Sequence, residues 1–134
     1  MNVIQLPHKL KKIITEQSEK SNIEVGFILA GKDNKVEHIF NLTNTANSST
    51  SLHISINEVN TINAHCKNHN IDIIGLFHSH LKSTASPSDT DIKIMKKSND
   101  IFFIYSKLNK NMFAFTYKDK LESIEIVTID KHKL

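Results

Sequence analysis

Residues 73–91 read IIGLFHSHLKSTASPSDTD, and this stretch decides the fold and the chemistry that the chain predicts. The mostly apolar run 71–77 is short enough to be a buried strand, and it leads directly into His78 and His80. Because alternate residues of a strand point to the same face, both imidazoles should project together. Asp91 follows near the start of a predicted helix. Two histidines and a carboxylate can supply three ligands to a tetrahedral Zn²⁺, leaving the fourth position open for water, as in a catalytic zinc site.

Each of these features also has an ordinary explanation. Ser88 and Asp91 stand at the spacing of a helix N-terminal capping box, in which the serine hydroxyl accepts an orphan backbone N–H. On that interpretation, Asp91 serves a metal only if its carboxylate turns to the metal instead of the backbone. A lone HxH pair is more often a hydrogen-bonded strand end than a metal site. Glu24, beside an early apolar strand, is also compatible with a solvated edge position.

The combined spacing is more specific than its parts. His78-Ser79-His80, seven residues, Ser88, two residues and Asp91 resemble the motif of the JAMM (MPN+) metalloprotease family, also called JAB1/MPN/Mov34. Members of that family also carry a glutamate on the first strand after an N-terminal helix, followed by an apolar, glycine-containing run. Residues 23–31, IEVGFILAG, match this feature with Glu24. The resemblance covers nearly the whole chain, and it departs from the family pattern at Leu81, where the family usually has proline.

The resemblance implies a zinc-dependent metallopeptidase or isopeptidase. His78, His80 and Asp91 would hold Zn²⁺. Glu24 would act as general base and then general acid, and Ser88 would stabilise the oxyanion. The implied substrate is the C-terminal tail of a ubiquitin-like or sulfur-carrier protein, as for the minimal stand-alone members from archaea and bacteria. Such a tail would add beside the site as an extended strand.

The order of predicted elements indicates an α/β fold with one sheet covered by helices on both faces. We predict an extended lead-in (1–5), helices at 7–20, 57–70 and 88–99, a loop at 43–51, and strands at 25–30, 36–42, 52–56, 71–77, 101–105, 112–117 and 121–129. The resemblance implies a single-domain α-β-α sandwich over residues 1–134. Its central sheet would be curved and mixed, in the cytidine-deaminase-like (JAB1/MPN) architecture.

Composition narrows the classes of partner. The net charge is +3 and all 17 basic residues are lysine, which weighs against specific nucleic-acid recognition because arginine is the usual residue for reading guanine. No apolar stretch approaches the length of a membrane span, and the N-terminus lacks a signal-peptide pattern. The single cysteine, Cys66, excludes an internal disulfide. We therefore expect a cytoplasmic protein with no membrane or nucleic-acid partner. Its oligomeric state is not indicated.

Three other functions stay open at this stage. They are a zinc hydrolase of small peptides or metabolites, a non-catalytic MPN scaffold, and a nucleic-acid-associated role as in RadC-type proteins. A second pair of histidines, His65 and His69, has the i, i+4 spacing of a zincin helix. Cys66 replaces the catalytic glutamate of that motif and no third ligand is evident, so an ordinary helix end is favoured. His8, His38, His53 and His132 are expected to be solvated.

Overall fold

The computed structural model describes residues 3–46 and 49–130. Within these residues the chain forms seven strands and three helices. In chain order they are β1 (Val3–Pro7), α1 (His8–Lys20), β2 (Gly26–Lys32), β3 (Lys35–Leu42), α2 (Ile56–Asn68), β4 (Asp72–His80), α3 (Asp89–Ser98), β5 (Phe102–Ser106), β6 (Asn111–Tyr117) and β7 (Leu121–Ile129). This mixed order of helices and strands confirms the predicted α/β class.

One mixed sheet contains all seven strands, in the order β1-β3-β2-β4-β5-β6-β7. The pairs β4–β5, β1–β7 and β1–β3 are parallel, and the remaining neighbours are antiparallel. The sheet curls until β1 pairs with both β7 and β3, so that it closes on itself. The predicted curved, mixed sheet is confirmed. The residues predicted as an extended lead-in supply the closing strand β1, apart from residues 1–2, which lie outside the described part.

The predicted strand at 52–56 is wrong, because residues 51–55 have no regular structure and Ile56 begins α2. Its alternating pattern reflects the half-burial of Leu52 and Ile54 rather than pairing with a strand. The backbone of this segment bonds to the preceding loop instead. The Thr45 N–H donates to the carbonyl of His53 at 2.8 Å.

The core lies against the middle of the sheet. All of β5 is buried, as are all of β2 but its last residue and the last four residues of β4. Phe77 and Phe103 are fully buried, and the Phe27 ring lies 5.9 Å from the Phe77 ring. Strands covered on both faces read as continuous apolar runs, which is why residues 25–30 are recognisable in the sequence. The buried middle strands form a rigid support for the end of β4.

The helices pack around this sheet. Pro7 precedes α1, where its missing N–H costs nothing, and α1 contacts β1, β3 and β7. The Tyr105 hydroxyl donates to Glu19 near the end of α1 at 2.5 Å. Burial, together with the Glu19 carboxylate, raises the pKa of Tyr105 to about 12. No helix in the described ranges has the length and apolar content needed to cross a bilayer.

Gly75 is a site where the packing of β4 against β5 allows no side chain. A Cβ there would lie 2.5 Å from the Ile101 carbonyl oxygen and 2.8 Å from the Phe103 ring. We expect Gly75→Ala to lower the free energy of unfolding by about 1–3 kcal/mol, the usual cost of overpacking, in urea unfolding experiments. Gly26→Ala is the matched control, because its Cβ would first meet the flexible end of Leu52. Equal stability of Gly75→Ala and wild type would contradict this packing.

Candidate metal centre

The end of β4 positions His78 and His80. β4 lies between β2 and β5, and His78 is in register with Gly26 on one side and Ile104 on the other. The two imidazoles lie on the same side of the strand, with their Nε2 atoms 3.2 Å apart. Both residues are buried, with 3% and 6% of their surface exposed. The strand period therefore brings the two rings together, as the spacing predicts.

Asp91 approaches the histidines from the first turn of α3. Its Oδ2 atom lies 3.3 Å from His78 Nε2 and 3.6 Å from His80 Nε2. In the described ranges, this is the one group of three or more His, Cys, Asp or Glu side chains whose ligand atoms converge, all within 4.8 Å of one another. The predicted triad is thus assembled in space, although its role as a set of metal ligands stays a prediction.

The chemistry of the three atoms fits a divalent cation. His80 Nδ1 lies 2.8 Å from the Thr84 carbonyl oxygen, which can only accept, so Nδ1 carries the hydrogen of the neutral ring. The Nε2 lone pair of His80 then faces His78 and the Asp91 carboxylate. Two ligands about 2.0–2.1 Å from a tetrahedral zinc lie about 3.3–3.4 Å apart, close to the 3.2, 3.3 and 3.6 Å separations found here. A cation between these atoms would satisfy all three.

The surroundings of the triad shift the pKa values of Asp91 and His80 in the directions that favour their charged forms. Burial acts to raise the pKa of Asp91, but hydrogen bonds to His78 and His80 outweigh it and hold that pKa well below its usual range. Burial acts to lower the pKa of His80, but the protonated ring can donate to Asp91 through Nε2 and to the Thr84 carbonyl through Nδ1, and these hydrogen bonds outweigh burial and raise that pKa. The Nε2 lone pair is free only in the neutral ring, which is the form that binds a metal. Asp91 is therefore an anion at neutral pH, as a metal-binding carboxylate must be.

Ser88 and Asp91 also form the capping box of α3. Ser88 Oγ accepts the Asp91 N–H at 3.1 Å, and Asp91 Oδ2 accepts the Ser88 N–H at 2.9 Å. The expectation that the carboxylate must turn away from the backbone to reach the site is wrong, because the same Oδ2 atom serves both. A carboxylate oxygen has two lone pairs, which allows this double role.

Glu24 lies on the same side of the sheet as the triad. It precedes β2 by two residues rather than lying in it, and 6% of its surface is exposed. Its side chain lines the cavity that His78, His80 and Asp91 also line. Burial raises the pKa of the Glu24 carboxyl, against the opposing effect of the two histidines. A raised pKa suits a group that takes up and releases a proton near neutral pH.

The cavity has a volume of about 620 Å³, and both polar and apolar side chains line it. Ser88 lines it together with Glu24 and the triad. The apolar wall, meaning the apolar side chains of the lining, consists of Leu52, Ile54, Leu76, Leu81, Ile94 and Phe102. The cavity combines convergent polar groups with apolar surface, which is the usual character of a substrate site.

The loop that follows β4 is anchored without the proline that the family usually has at Leu81. Ser106 Oγ donates to the Ser83 carbonyl at 2.8 Å, and the Lys107 N–H donates to the His80 carbonyl at 2.8 Å. Together with the bond from His80 Nδ1 to Thr84, these contacts hold the loop at its start and middle. Leu81 itself is half-buried in the cavity wall.

The other described histidines do not join the triad, although His53 lines the same cavity. His65 and His69 are exposed, with ring centroids 4.2 Å apart, and His69 Nδ1 bonds to the His65 carbonyl at 2.9 Å. No third ligand joins them in the part of the chain that the structure describes. Cys66 is buried, and burial raises its pKa. Three further histidines, His8, His38 and His53, are exposed as predicted, and the prediction for His132 lies outside the described residues.

Three residues around the site make contacts that the motif did not predict. Thr84 orients His80 through its carbonyl, and no side-chain pattern marks such a contact. Asn44 donates to the Glu24 carbonyl at 3.0 Å from a loop that reads only as polar. Ser79 is fully buried and accepts the Val25 N–H at 3.0 Å. A signal for Ser79 exists in the sequence, because a polar residue within a buried strand needs a partner.

The fold and the site define a JAB-domain protein. The family described as prokaryotic homologs of the JAB domain matches residues 7–118, and the chain belongs to this family. The chain resembles the solution structure of a protein from Desulfitobacterium hafniense, with a TM-score of 0.78 and 22% identity over 96% of this chain and 94% of that one. It also resembles the crystal structure of a JAB1/MPN domain protein from Archaeoglobus fulgidus, with a TM-score of 0.62 and 16% identity over 93% and 98% of the two chains.

A relative with an assigned activity covers most of the chain. A desampylase from Pyrococcus furiosus is 25% identical over 123 residues, which are 91% of this chain and 88% of the relative. The JAMM-type resemblance that the motif predicts is therefore confirmed at the level of the family, in its prokaryotic form.

The capping box gives a prediction for metal-free protein. Ser88→Ala removes the acceptor of the Asp91 N–H, and we expect the free energy of unfolding to fall by about 1 kcal/mol, the usual cost of losing a serine cap. Urea unfolding in the presence of a chelator measures the change. Ser86→Ala, in the same loop and equally exposed, is the matched control and should leave stability unchanged. A Ser88→Ala protein as stable as the control would show that the cap contributes nothing.

Proposed function

We propose that the chain is a zinc-dependent isopeptidase or metallopeptidase. It hydrolyses the amide bond that follows the C-terminal tail of a ubiquitin-like or sulfur-carrier protein. The observation that carries the proposal is the convergence of His78, His80 and Asp91 in a cavity that Glu24 also lines. The similarity to a desampylase supports the choice of a ubiquitin-like modifier as substrate.

The ligands proposed for zinc are His78 and His80 through Nε2 and Asp91 through Oδ2. When bound there, the ion supplies Lewis-acid chemistry and lowers the pKa of water from ~15.7 towards ~7. Contacts with neighbouring residues orient the two histidine rings. The Thr84 carbonyl holds His80 in the tautomer whose Nε2 lone pair faces inward. The His78 and Phe102 rings pack in a T-shaped arrangement, at 90° to each other and with their centroids 5.6 Å apart.

Glu24 is the proposed general base and general acid. Its carboxylate takes the proton of the attacking water and later delivers it to the leaving amine. Burial raises its pKa, so that it holds this proton more readily than an exposed glutamate would. Asp91 stays ionised in the same cavity because its hydrogen bonds lower its pKa. The two carboxyl groups are therefore suited to different tasks.

Ser88 is the proposed donor to the oxyanion. Its oxygen accepts the Asp91 N–H, which leaves the hydroxyl hydrogen to donate into the cavity that it lines. Loss of one such donor typically raises a barrier by on the order of 3 kcal/mol. Ser88 would thus combine a cap, which acts on stability, with a donor, which acts on rate.

A second candidate function is hydrolysis of small peptides unrelated to ubiquitin-like proteins. The cavity volume of about 620 Å³ and its apolar wall favour this alternative, since both are typical of small-molecule sites. A non-catalytic scaffold is less well supported, because the chain retains every residue of the predicted triad.

Cleavage assays separate the candidates. We expect the zinc-loaded protein to cleave a fusion in which a ubiquitin-like protein precedes a reporter, and to leave short peptides of the same tail sequence intact. The reason is that a folded modifier adds contacts outside the cavity. A chelator should abolish cleavage and added zinc should restore it. Cleavage of the peptides alone would favour the second candidate, and no chelator-sensitive cleavage of either substrate would contradict both.

Variants separate the proposed base from the proposed ligands. Glu24→Gln should keep zinc, measured by metal analysis, and should lose activity by on the order of 10²–10⁴-fold, the usual contribution of a general base. His78→Ala should lose both zinc and activity, because two protein ligands remain. His69→Ala, an exposed histidine outside the site, is the control and should retain both. A zinc-loaded and fully active His78→Ala protein would refute the ligand assignment.

A further inference from the structure

The peptide group that joins Glu24 to Val25 is held by two side chains. This peptide lies just before β2, outside the regular ladder of the strand. Its carbonyl, on Glu24, accepts from Asn44 Nδ2 at 3.0 Å. Its N–H, on Val25, donates to Ser79 Oγ at 3.0 Å. Both polar atoms of the peptide are therefore fixed by residues to which the proposed chemistry gives no part.

Ser79 connects this peptide to the histidines. It stands between His78 and His80 in β4, so its side chain points to the opposite face of the strand from the two imidazoles. It is completely buried, and its backbone N–H also donates to the Val25 carbonyl at 3.0 Å. The Ser79 backbone and side chain thus each form a hydrogen bond with the backbone of Val25. One three-residue unit carries both histidines and fixes the residue next to Glu24.

Asn44 connects the same peptide to the cavity wall. Its Nδ2 also donates to the Ser51 carbonyl at 3.0 Å, and its Oδ1 accepts the His53 N–H at 3.2 Å. Residues 49–54, which include these partners, line the cavity beside Glu24. A single amide side chain therefore bridges the backbone of Glu24 and the segment that a substrate would contact.

We propose that Ser79 and Asn44 are positioning residues for Glu24, and that Asn44 couples the position of this carboxyl to the segment 49–54. The inference rests on the proposed function, in which Glu24 is the base. Rotation of an unrestrained peptide would swing the attached carboxyl relative to the histidines. Misplacement of a reacting group by about 1 Å can cost on the order of 10²-fold in rate. Two hydrogen bonds at opposite ends of the peptide oppose that rotation.

The kinetic test begins with Ser79→Ala, which removes the hydroxyl. We expect kcat to fall on the order of 10- to 100-fold, with KM and zinc content unchanged, because the base is displaced while the ligands stay. Ser79→Thr keeps a hydroxyl and should restore most of the rate. Ser18→Ala is the matched control, since Ser18 is equally buried and its hydroxyl bonds within α1, to the Ile14 carbonyl. It should leave kcat unchanged.

A second variant keeps the test decisive if Ser79→Ala fails to fold. Asn44→Asp retains the oxygen that accepts the Ala46 and His53 N–H groups, but it replaces the donor to Glu24 by an acceptor. It should lower kcat at unchanged zinc content, and it should also raise KM, because it removes the donor to the Ser51 carbonyl in the segment that lines the cavity. If either folded variant has wild-type kcat, or if its rate falls only in proportion to lost zinc, the positioning role is refuted.

A measurement without substrate separates this inference from the proposed function. In protein labelled with ¹³C at glutamate carboxyls, Glu24→Gln identifies the Glu24 signal by its disappearance. Zinc should shift this signal in wild type and in Ser18→Ala, and should shift it much less in Ser79→Ala and Asn44→Asp. This pattern without any cleavage would refute the hydrolase and support the positioning role. An equal zinc-induced shift in all four proteins would overturn the positioning role, whatever the activity.

Discussion

The pairing of β4 with β2 on one side and β5 on the other is the constraint on which the site depends. His78 has a strand partner on each side, and the next residues are held by the bonds from Ser79 to Val25 and from Lys107 to His80. A shift of β4 by one residue would move both imidazoles to the opposite face of the sheet. The backbone ladder therefore sets the direction of the rings.

The parts of the structure that local pattern encodes were predictable, and the parts that depend on distant partners were not. The helical spacing after Pro7 and the buried runs of β2 and β4 follow from periodicity. β1 reads only as an extended lead-in, because its main partner, β7, lies at the other end of the described chain. At 52–56 the pattern correctly indicates the half-burial of Leu52 and Ile54, but it is wrong for the exposed Ile56 and cannot report whether a neighbouring strand is present. The convergence of the triad followed from spacing, whereas the contacts of Thr84 and Asn44 depend on loop shape.

Two carboxyl groups in one cavity have pKa values displaced in opposite directions. Glu24 has its pKa raised, since burial outweighs the histidines, while Asp91 has its pKa lowered, since hydrogen bonds outweigh burial. Most of the difference comes from the hydrogen bonds that His78 and His80 make to Asp91 and not to Glu24, and backbone placement adds to it. Asp91 stands in the first turn of α3, where it accepts the Ser88 N–H and the helix dipole favours a negative charge. Glu24 lies before a strand, where no such dipole is present.

Asp91 Oδ2 belongs both to the helix cap and to the triad, and this limits the conformations that the Asp91 side chain can adopt. The Ser88 N–H holds this oxygen at 2.9 Å, in the position from which it reaches His78. A carboxylate on a free side chain would lose conformational entropy on binding a metal. Here the capping box restricts the side chain. The motif that resembles an ordinary helix cap is therefore part of the proposed metal centre: the cap places the ligand, and the same hydrogen bond helps to keep it ionised.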